Sequence, residues 1–476
     1  MTQTSMTYFK KMYFGSCLLP VAICLLVSSC KKDSFITSAD ARIATSIDSL
    51  KYDTVFTSSG SITQSFKISN PNSQKLLLNK VKLMGASSSA FKINVNGISA
   101  VEVNDIEIAA NDSIYVFVTV NINPNAANLP FIVRDSVQIS YNGNTRFVQL
   151  EAFGQNANFL RSRIIKGNIT WNNNLPYIIL GSIQLDTLAS LTIQAGCKIY
   201  LHANAPFIVD GTLITNGTRQ DKVTFTGDRL DEDYRDLPAS WPGIYFRGSS
   251  KNSVLTHTIV KNAYQAIVTE KPSINSNPKL VLHQCVVENA FDAGILCVNS
   301  SLLADNTLIS NCGKNVHIIY GGDYSFTHCT VASFSSYINH KSPVLTANNF
   351  ASQNGTALTA NLNANFRNCI FWGESGTVDD EVSISKQGSN NFNVAFDKCL
   401  FKSKNDPANS TFANSIKNQD PLFDSIDVSK HYYDFHISKN PQAPGVNKGT
   451  VTGFLMDLDG NNRNNGLPDM GCYEKQ

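Results

Sequence analysis

A short phrase recurs between Val254 and Phe401, and its period restricts this part of the chain to coils stacked one on the next. Three copies are close: Thr-His-Thr-Ile-Val-Lys-Asn-Ala at 256–263, His-Gln-Cys-Val-Val-Glu-Asn-Ala at 283–290 and Asp-Asn-Thr-Leu-Ile-Ser-Asn-Cys at 305–312. Three more, at 327–334, 367–374 and 397–404, are looser. Aligned on the third residue, Thr258, Cys285, Thr307, Cys329, Cys369 and Cys399 form one column, which advances by 27, 22, 22, 40 and 30 residues. The 22-residue step suits a triangular coil of three short strands and three turns, and the longer steps are coils with loops. Stacked at roughly 4.8 Å, about nine to eleven such coils would build a rod on the order of 50 Å long.

Alternation along a strand assigns faces to the neighbouring columns. If the Thr/Cys column points inward, so do Val260, Val287, Ile309, Val331, Phe371 and Phe401, and after them Asn262, Asn289 and Asn311, which would stack as a ladder of buried amides. The stripe just before the column is polar throughout: His257, Gln284, Asn306, His328, Asn368 and Lys398. It is either a solvated face or a strip of planar polar groups suited to a sugar. The stripe just after it, Ile259, Val286, Leu308, Ile370 and Leu400, is apolar and should also face out. An exposed apolar strip of that length predicts a loop, or a preceding domain, packed over it.

The N-terminus reads as an export signal. Lys10 and Lys11 precede an apolar run from Met12 to Val27, short of the roughly 20 residues that a membrane span needs. The run ends in Leu26-Val-Ser-Ser-Cys30, which resembles the lipobox of bacterial lipoproteins. The resemblance implies removal of residues 1–29, lipid on Cys30, and a partner that is the membrane itself, at the outer membrane or cell surface. Of the eleven cysteines, Cys17, Cys24 and Cys30 belong to this segment. Four others occupy the Thr/Cys column as small buried residues would, and no Cys-x-x-Cys or His/Cys spacing marks a zinc site. With 16% charged residues and a net charge of +2, nothing favours nucleic acid as a partner.

Residues 30–45 are polar and read as a tether. Residues 46–157 then carry eight strand-like runs: 49–56, 62–69, 76–84, 91–95, 102–108, 113–120, 132–141 and 146–153. Polar–apolar alternation, and Asn142-Gly143 between the last two runs, predict an antiparallel β-sandwich. The order of Phe66-Lys-Ile-Ser-Asn-Pro, Asn111-Asp-Ser-Ile-Tyr-Val and Val148-Gln-Leu-Glu-Ala-Phe-Gly resembles the immunoglobulin-like modules found beside repeat domains in surface proteins. The expected role is a spacer or docking domain.

Residues 158–476 hold the coils. Leu188-Ala-Ser-Leu-Thr-Ile-Gln-Ala-Gly-Cys, Phe207-Ile-Val-Asp-Gly-Thr and Trp241-Pro-Gly-Ile-Tyr-Phe resemble the first coils of right-handed parallel β-helix proteins with the pectate-lyase-like fold. The fold class is therefore all-β, a sandwich followed by a right-handed parallel β-helix. Polysaccharide lyases of that fold gather carboxylates from neighbouring coils on Ca²⁺ beside a Lys or Arg base. Here the aligned stripes offer no stacked carboxylates, and the paired-Asp and Gly-His-Gly phrases of the related pectin hydrolases are missing. Acidic residues cluster instead in a loop, with Asp231, Glu232, Asp233 and Asp236 just ahead of Trp241. That loop and Trp241, with His257, Gln284, Asn306 and His328, make up the candidate binding surface.

The end of the chain, Asp457-Leu-Asp-Gly-Asn-Asn-Arg through Asp469-Met-Gly-Cys, is similar to the terminal phrase of many exported bacterial β-helix proteins. It predicts a hydrogen-bonded cap over the last coil, since an open end would leave strand edges bare. A Ca²⁺ on Asp457, Asp459 and Asp469 is the alternative; no other cofactor is indicated. These features favour a non-catalytic, lipid-anchored surface protein binding polysaccharide or another surface component. A polysaccharide lyase or glycoside hydrolase, and a structural adhesin or assembly partner, are the competing readings.

Overall fold

The computed structural model describes residues 34–57, 60–123, 131–334, 337–374, 377–437, 442–463 and 466–475. Cys30 and the signal segment lie outside the described residues. The chain divides into two compact units, with the division after Gly154.

The first unit is a sandwich of two five-stranded antiparallel sheets. One orders Ala44–Thr45, Gln64–Ser69, Ser113–Val120, Phe91–Val95 and Ile98–Ser99. The other orders Ser49–Phe56, Asn144–Gln155, Phe131–Tyr141, Leu76–Leu83 and Glu102–Ile108. Alternation sends Ile114, Val116, Val118 and Val120 into a core shared with Leu76, Leu78, Val81 and Leu83. Asn142 and Gly143 take φ of +43° and +80°, the tight turn that pairs Tyr141 with Asn144. The segment expected as a free tether is, from residue 34 on, part of this unit. Asn142 Nδ2 donates to the carbonyls of Ile36 (2.9 Å) and Ser38 (3.0 Å), Asn144 Nδ2 donates to Ala39 (2.8 Å), and Ala41 and Ile43 are buried. Polar composition reads as a linker, but here amides from a distant hairpin satisfy its backbone.

The second unit is a parallel β-helix, one 26-stranded sheet wound on itself from Asn158–Ile165 to Ile416–Lys417. Register confirms the column alignment: Ile259 pairs with Val286, then Leu308, Thr330, Ile370, Leu400 and Ile416 follow in turn. Every member of the Thr/Cys column is buried, and each of the eight described cysteines is free and buried.

Thr and Cys alternate there for a specific reason. Each donates to the carbonyl two residues back: Thr307 Oγ1 to Asp305 at 2.9 Å, Cys369 Sγ to Arg367 at 3.2 Å, Cys285 Sγ to His283 at 3.4 Å. Ser415 makes the same bond to Ala413 at 3.1 Å and extends the column by a rung. In the last coils, aromatic rings replace aliphatic layers, with Phe366, Phe396 and Phe412 stacked at 4.8 and 4.5 Å.

In the three close copies the strand lies between two left-handed corners, and in the looser copies His328, Asn368 and Lys398 make the first corner alone. Thr258–Lys261 sits between His257 (φ +43°) and Asn262 (φ +62°), and Leu308–Ser310 between Asn306 (φ +44°) and Asn311 (φ +53°). The polar stripe is thus a row of corner residues rather than one side of a strand. Asn is among the few side chains that enter this backbone region readily, which explains its recurrence.

The apolar stripe is covered, as expected, and its cover is the C-terminal segment. Leu308, Ile370 and Leu400 are buried with Phe334 and Trp372 against Phe435, Leu458, Met470 and Cys472. Ile259 and Val286 remain partly exposed. The terminal phrase therefore lies along the side of several coils, and its bonds run to that side wall rather than over the last coil's open edge.

Candidate functional site

Two candidate sites from the sequence turn out to be each other's partners. Gln284 Nε2 donates to the Asp457 carbonyl (2.6 Å), and Arg463 Nε donates to Asn306 Oδ1 (3.0 Å). His328 Nε2 lies 3.2 Å from Thr452 Oγ1 and accepts from Asn368 Nδ2 at 3.0 Å. Asn368 also exchanges two 2.8 Å bonds with the backbone of Thr450. Gln284, Asn306, His328 and Asn368 thus bind the terminal segment in place of an outside ligand. Burial, and then the Arg463 charge, push His328 down to about 2, so its ring is neutral. His257 is partly buried and also shifted down by burial.

The aspartates proposed for Ca²⁺ are committed to protein donors. Asp457 accepts the backbone N–H groups of Asp459 (2.9 Å), Asn461 (2.6 Å) and Glu474 (2.8 Å). Asp469 accepts those of Asn447 (2.6 Å) and Lys475 (2.7 Å), and Asp459 pairs with His436 Nε2 (2.8 Å). Among the described residues, no group of three His, Cys, Asp or Glu stands close enough to hold a metal.

The acidic loop is likewise tied to its own chain. Arg229 grips Asp231 with two bonds of 2.7 and 2.8 Å while its guanidinium lies 3.9 Å over the Tyr234 ring. Asp236 lies 3.2 Å from Arg235 and 3.7 Å from Lys261; Glu232 and Asp233 are exposed at the tip. The Asn ladder turns toward this loop instead of closing on itself. Asn262 Nδ2 donates to the Arg235 carbonyl and Asn289 Nδ2 to that of Asp236, both at 2.7 Å. Only the Asn289–Asn262 contact (2.9 Å) is a rung, while Asn311 Oδ1 accepts the N–H of Phe334 (2.9 Å). Trp241 is 1% exposed, with its indole N–H on the Lys261 carbonyl at 2.9 Å. It is a core residue and offers no surface to a ligand.

Buried polar groups elsewhere are structural too. Burial pulls Lys279 down to about 8, yet all its donors are engaged by the carbonyls of Arg247 (3.1 Å), Gly248 (3.1 Å) and Ser250 (2.8 Å). His340 and Glu381 bond at 2.8 Å inside the helix wall, with both side chains buried.

The open polar surface lies one strand earlier in each coil. Register stacks Ser301, Asp323, Asn363 and Asn393 in one column, and Asp305, Thr327, Arg367 and Asp397 in another. Asn363 Nδ2 donates to Asp323 Oδ1 and Asn393 Nδ2 to Asn363 Oδ1, both at 2.8 Å, while Asn365 Nδ2 reaches Asn363 at 3.2 Å. Arg367 Nε meets Asp397 at 3.0 Å, and His283, raised by its bond to Asp305, closes the row. Asn361, Asn391, Ser301 and Pro272 flank a shallow groove of about 440 Å³. Here amide donors and acceptors repeat at coil spacing and remain partly open to solvent. The signal is present in Asn363-x-Asn365-x-Arg367 and Asn393-x-Ala395-x-Asp397, which alternate on one face of the strand that precedes the Thr/Cys column.

No family model matches the chain, and no curated protein matches it. Among solved structures it is similar to a family 123 glycoside hydrolase from Clostridium perfringens at 12% identity and TM-score 0.17, covering 23% of each chain. It is also similar to the ASH/PapD-like domain of human CEP192 at 12% identity and TM-score 0.18, covering 27% of this chain and 92% of that one. The chain thus spans less than a quarter of the hydrolase's length.

Proposed function

We propose that this protein is exported, held at the outer membrane or cell surface by lipid on Cys30, and binds polysaccharide along the open amide face without cleaving it. The observation that carries the reading is the bonded series Asp323–Asn363–Asn393. Its members hold one another in place and still present free N–H and C=O valences, repeated at about one strand spacing. A polymer of sugar rings, with hydroxyls repeating along its length, is the ligand such a row suits. Preorganised planar amides lose little conformational freedom on binding it. The carboxylates that a hydrolytic or lyase reading would use are dispersed or bonded to protein donors.

Affinity electrophoresis through gels cast with a panel of neutral polysaccharides tests the reading. Retardation of the native protein, lost in Asn363→Ala/Asn393→Ala, supports it. Absence of retardation, or release of reducing ends during incubation, overturns it. Anchoring is tested separately: labelled palmitate should enter the native protein and not Cys30→Ala.

A further inference from the structure

We infer that the sandwich carries a binding site of its own for a carboxylate-bearing sugar polymer, on the outer face of the sheet formed by Gln64–Ser69, Ser113–Val120 and Phe91–Val95. Strand alternation buries Val116 and Val118 and turns Tyr115 and Phe117 outward, each 42% exposed. Their rings lie side by side, centroids 5.8 Å apart and within 16° of parallel, forming a flat apolar platform. Register places Lys67 opposite Tyr115, Asn94 opposite Phe117, and Lys92 opposite Thr119, all on this face. Lys67 Nζ stands 5.0 Å from the Tyr115 ring centroid.

Charge selects the ligand. These three strands contain no Asp or Glu, and among the described residues neither Lys67 nor Lys92 has a carboxylate partner. Two lysines thus stand on the strands either side of the two exposed rings, with strands roughly 5 Å apart. A pyranose stacks its C–H face on an aromatic ring, and a carboxylate on that pyranose meets a lysine at the ring's edge. Two rings are too little apolar area for a stable protein interface, which buries about 800 Å² per partner. The site is independent of the amide face, which belongs to the other unit and whose Arg367 charge is taken by Asp397.

The test uses the full chain with polygalacturonate as the acidic probe, dextran as a neutral one, and phosphatidylglycerol vesicles as a second anionic surface. Polygalacturonate gels should retard the native protein, less so at high salt. Tyr115→Ala/Phe117→Ala and Lys67→Gln/Lys92→Gln should each weaken the apparent affinity at least about tenfold. These positions are exposed, so unchanged circular dichroism and melting temperature show that the variants fold. Asn363→Ala/Asn393→Ala should leave polygalacturonate retardation intact, which separates this site from the amide face. The inference is overturned if polygalacturonate does not retard the native protein, or if the sandwich variants are retarded as strongly as the native chain. It is also overturned if the protein sediments with the vesicles but ignores the polysaccharide.

Discussion

Arg463 Nε donates to Asn306 Oδ1 at 3.0 Å, joining residues 157 apart in sequence. The same guanidinium reaches Glu474 Oε2 at 2.8 Å and the Gly471 carbonyl at 3.0 Å, with 1% of its side chain exposed. One buried cation therefore fastens the terminal segment to the corner row of the β-helix and to itself. That bond is also why the corner stripe is not an open binding strip.

Arg463→Met should destabilise the β-helix unit by about 3–5 kcal/mol, because it leaves Glu474 buried without its cation. Burial is the largest of the influences that hold the Glu474 carboxyl at about 7, and the Arg463 charge and hydrogen bond work against it, so removing Arg463 should raise it further. Arg463→Lys should recover part of the loss, since an ammonium keeps the charge but not the fork. Urea unfolding followed by tryptophan fluorescence reads both variants. A midpoint unchanged in Arg463→Met would show that apolar packing alone holds the segment.

The cover also carries a titratable clasp. His436 Nδ1 lies 2.5 Å from Asp434 and Nε2 lies 2.8 Å from Asp459, with the ring stacked 3.7 Å from that of Tyr473. Burial lowers its affinity for a proton, but the two carboxylates outweigh burial and raise it to about 9. A group raised above its unfolded value of 6.5 stabilises fully below that pH, and its contribution disappears as pH climbs through about 9. The melting temperature should therefore fall between pH 6.5 and 9 in the native protein. In His436→Gln the decline over this window should be shallower. Parallel profiles for the two proteins would remove the clasp from the account.

The fold was legible because its signals are local and repeated. Strand alternation located Ser49–Phe56, Phe91–Val95, Glu102–Ile108 and Ser113–Val120 to the residue. The Thr/Cys column gave the coil register, and the apolar stripe required a cover. What stayed hidden depends on pairings between remote segments. Nothing in the spacing of Gln284 and Asn306 shows that Asp457 and Arg463 will lie on them. Alternation points the Asn ladder inward, because the left-handed corner at Asn262, which redirects the side chain, leaves no mark in a polar–apolar pattern. The amide face was missed for a different reason: its signal was local, but it sat on the strand preceding the motif used for alignment.

The Thr/Cys column makes a last prediction that separates bonding from packing. If the column merely filled space, Thr307→Val would be neutral or stabilising, since it buries a methyl in place of a hydroxyl in a fully buried site. The geometry says otherwise. Thr307 Oγ1 donates to the Asp305 carbonyl at 2.9 Å, beside the bond which that carbonyl takes from the Gln284 N–H at 3.0 Å. Removing the hydroxyl leaves the corner with one donor fewer and should cost about 0.5–1.5 kcal/mol. Thr307→Cys, which restores the donor found at Cys285 and Cys329, should recover part of this. Chemical unfolding of the three proteins decides it: a Val variant as stable as the native chain would mean that the column is chosen for size, and the shared bond is incidental.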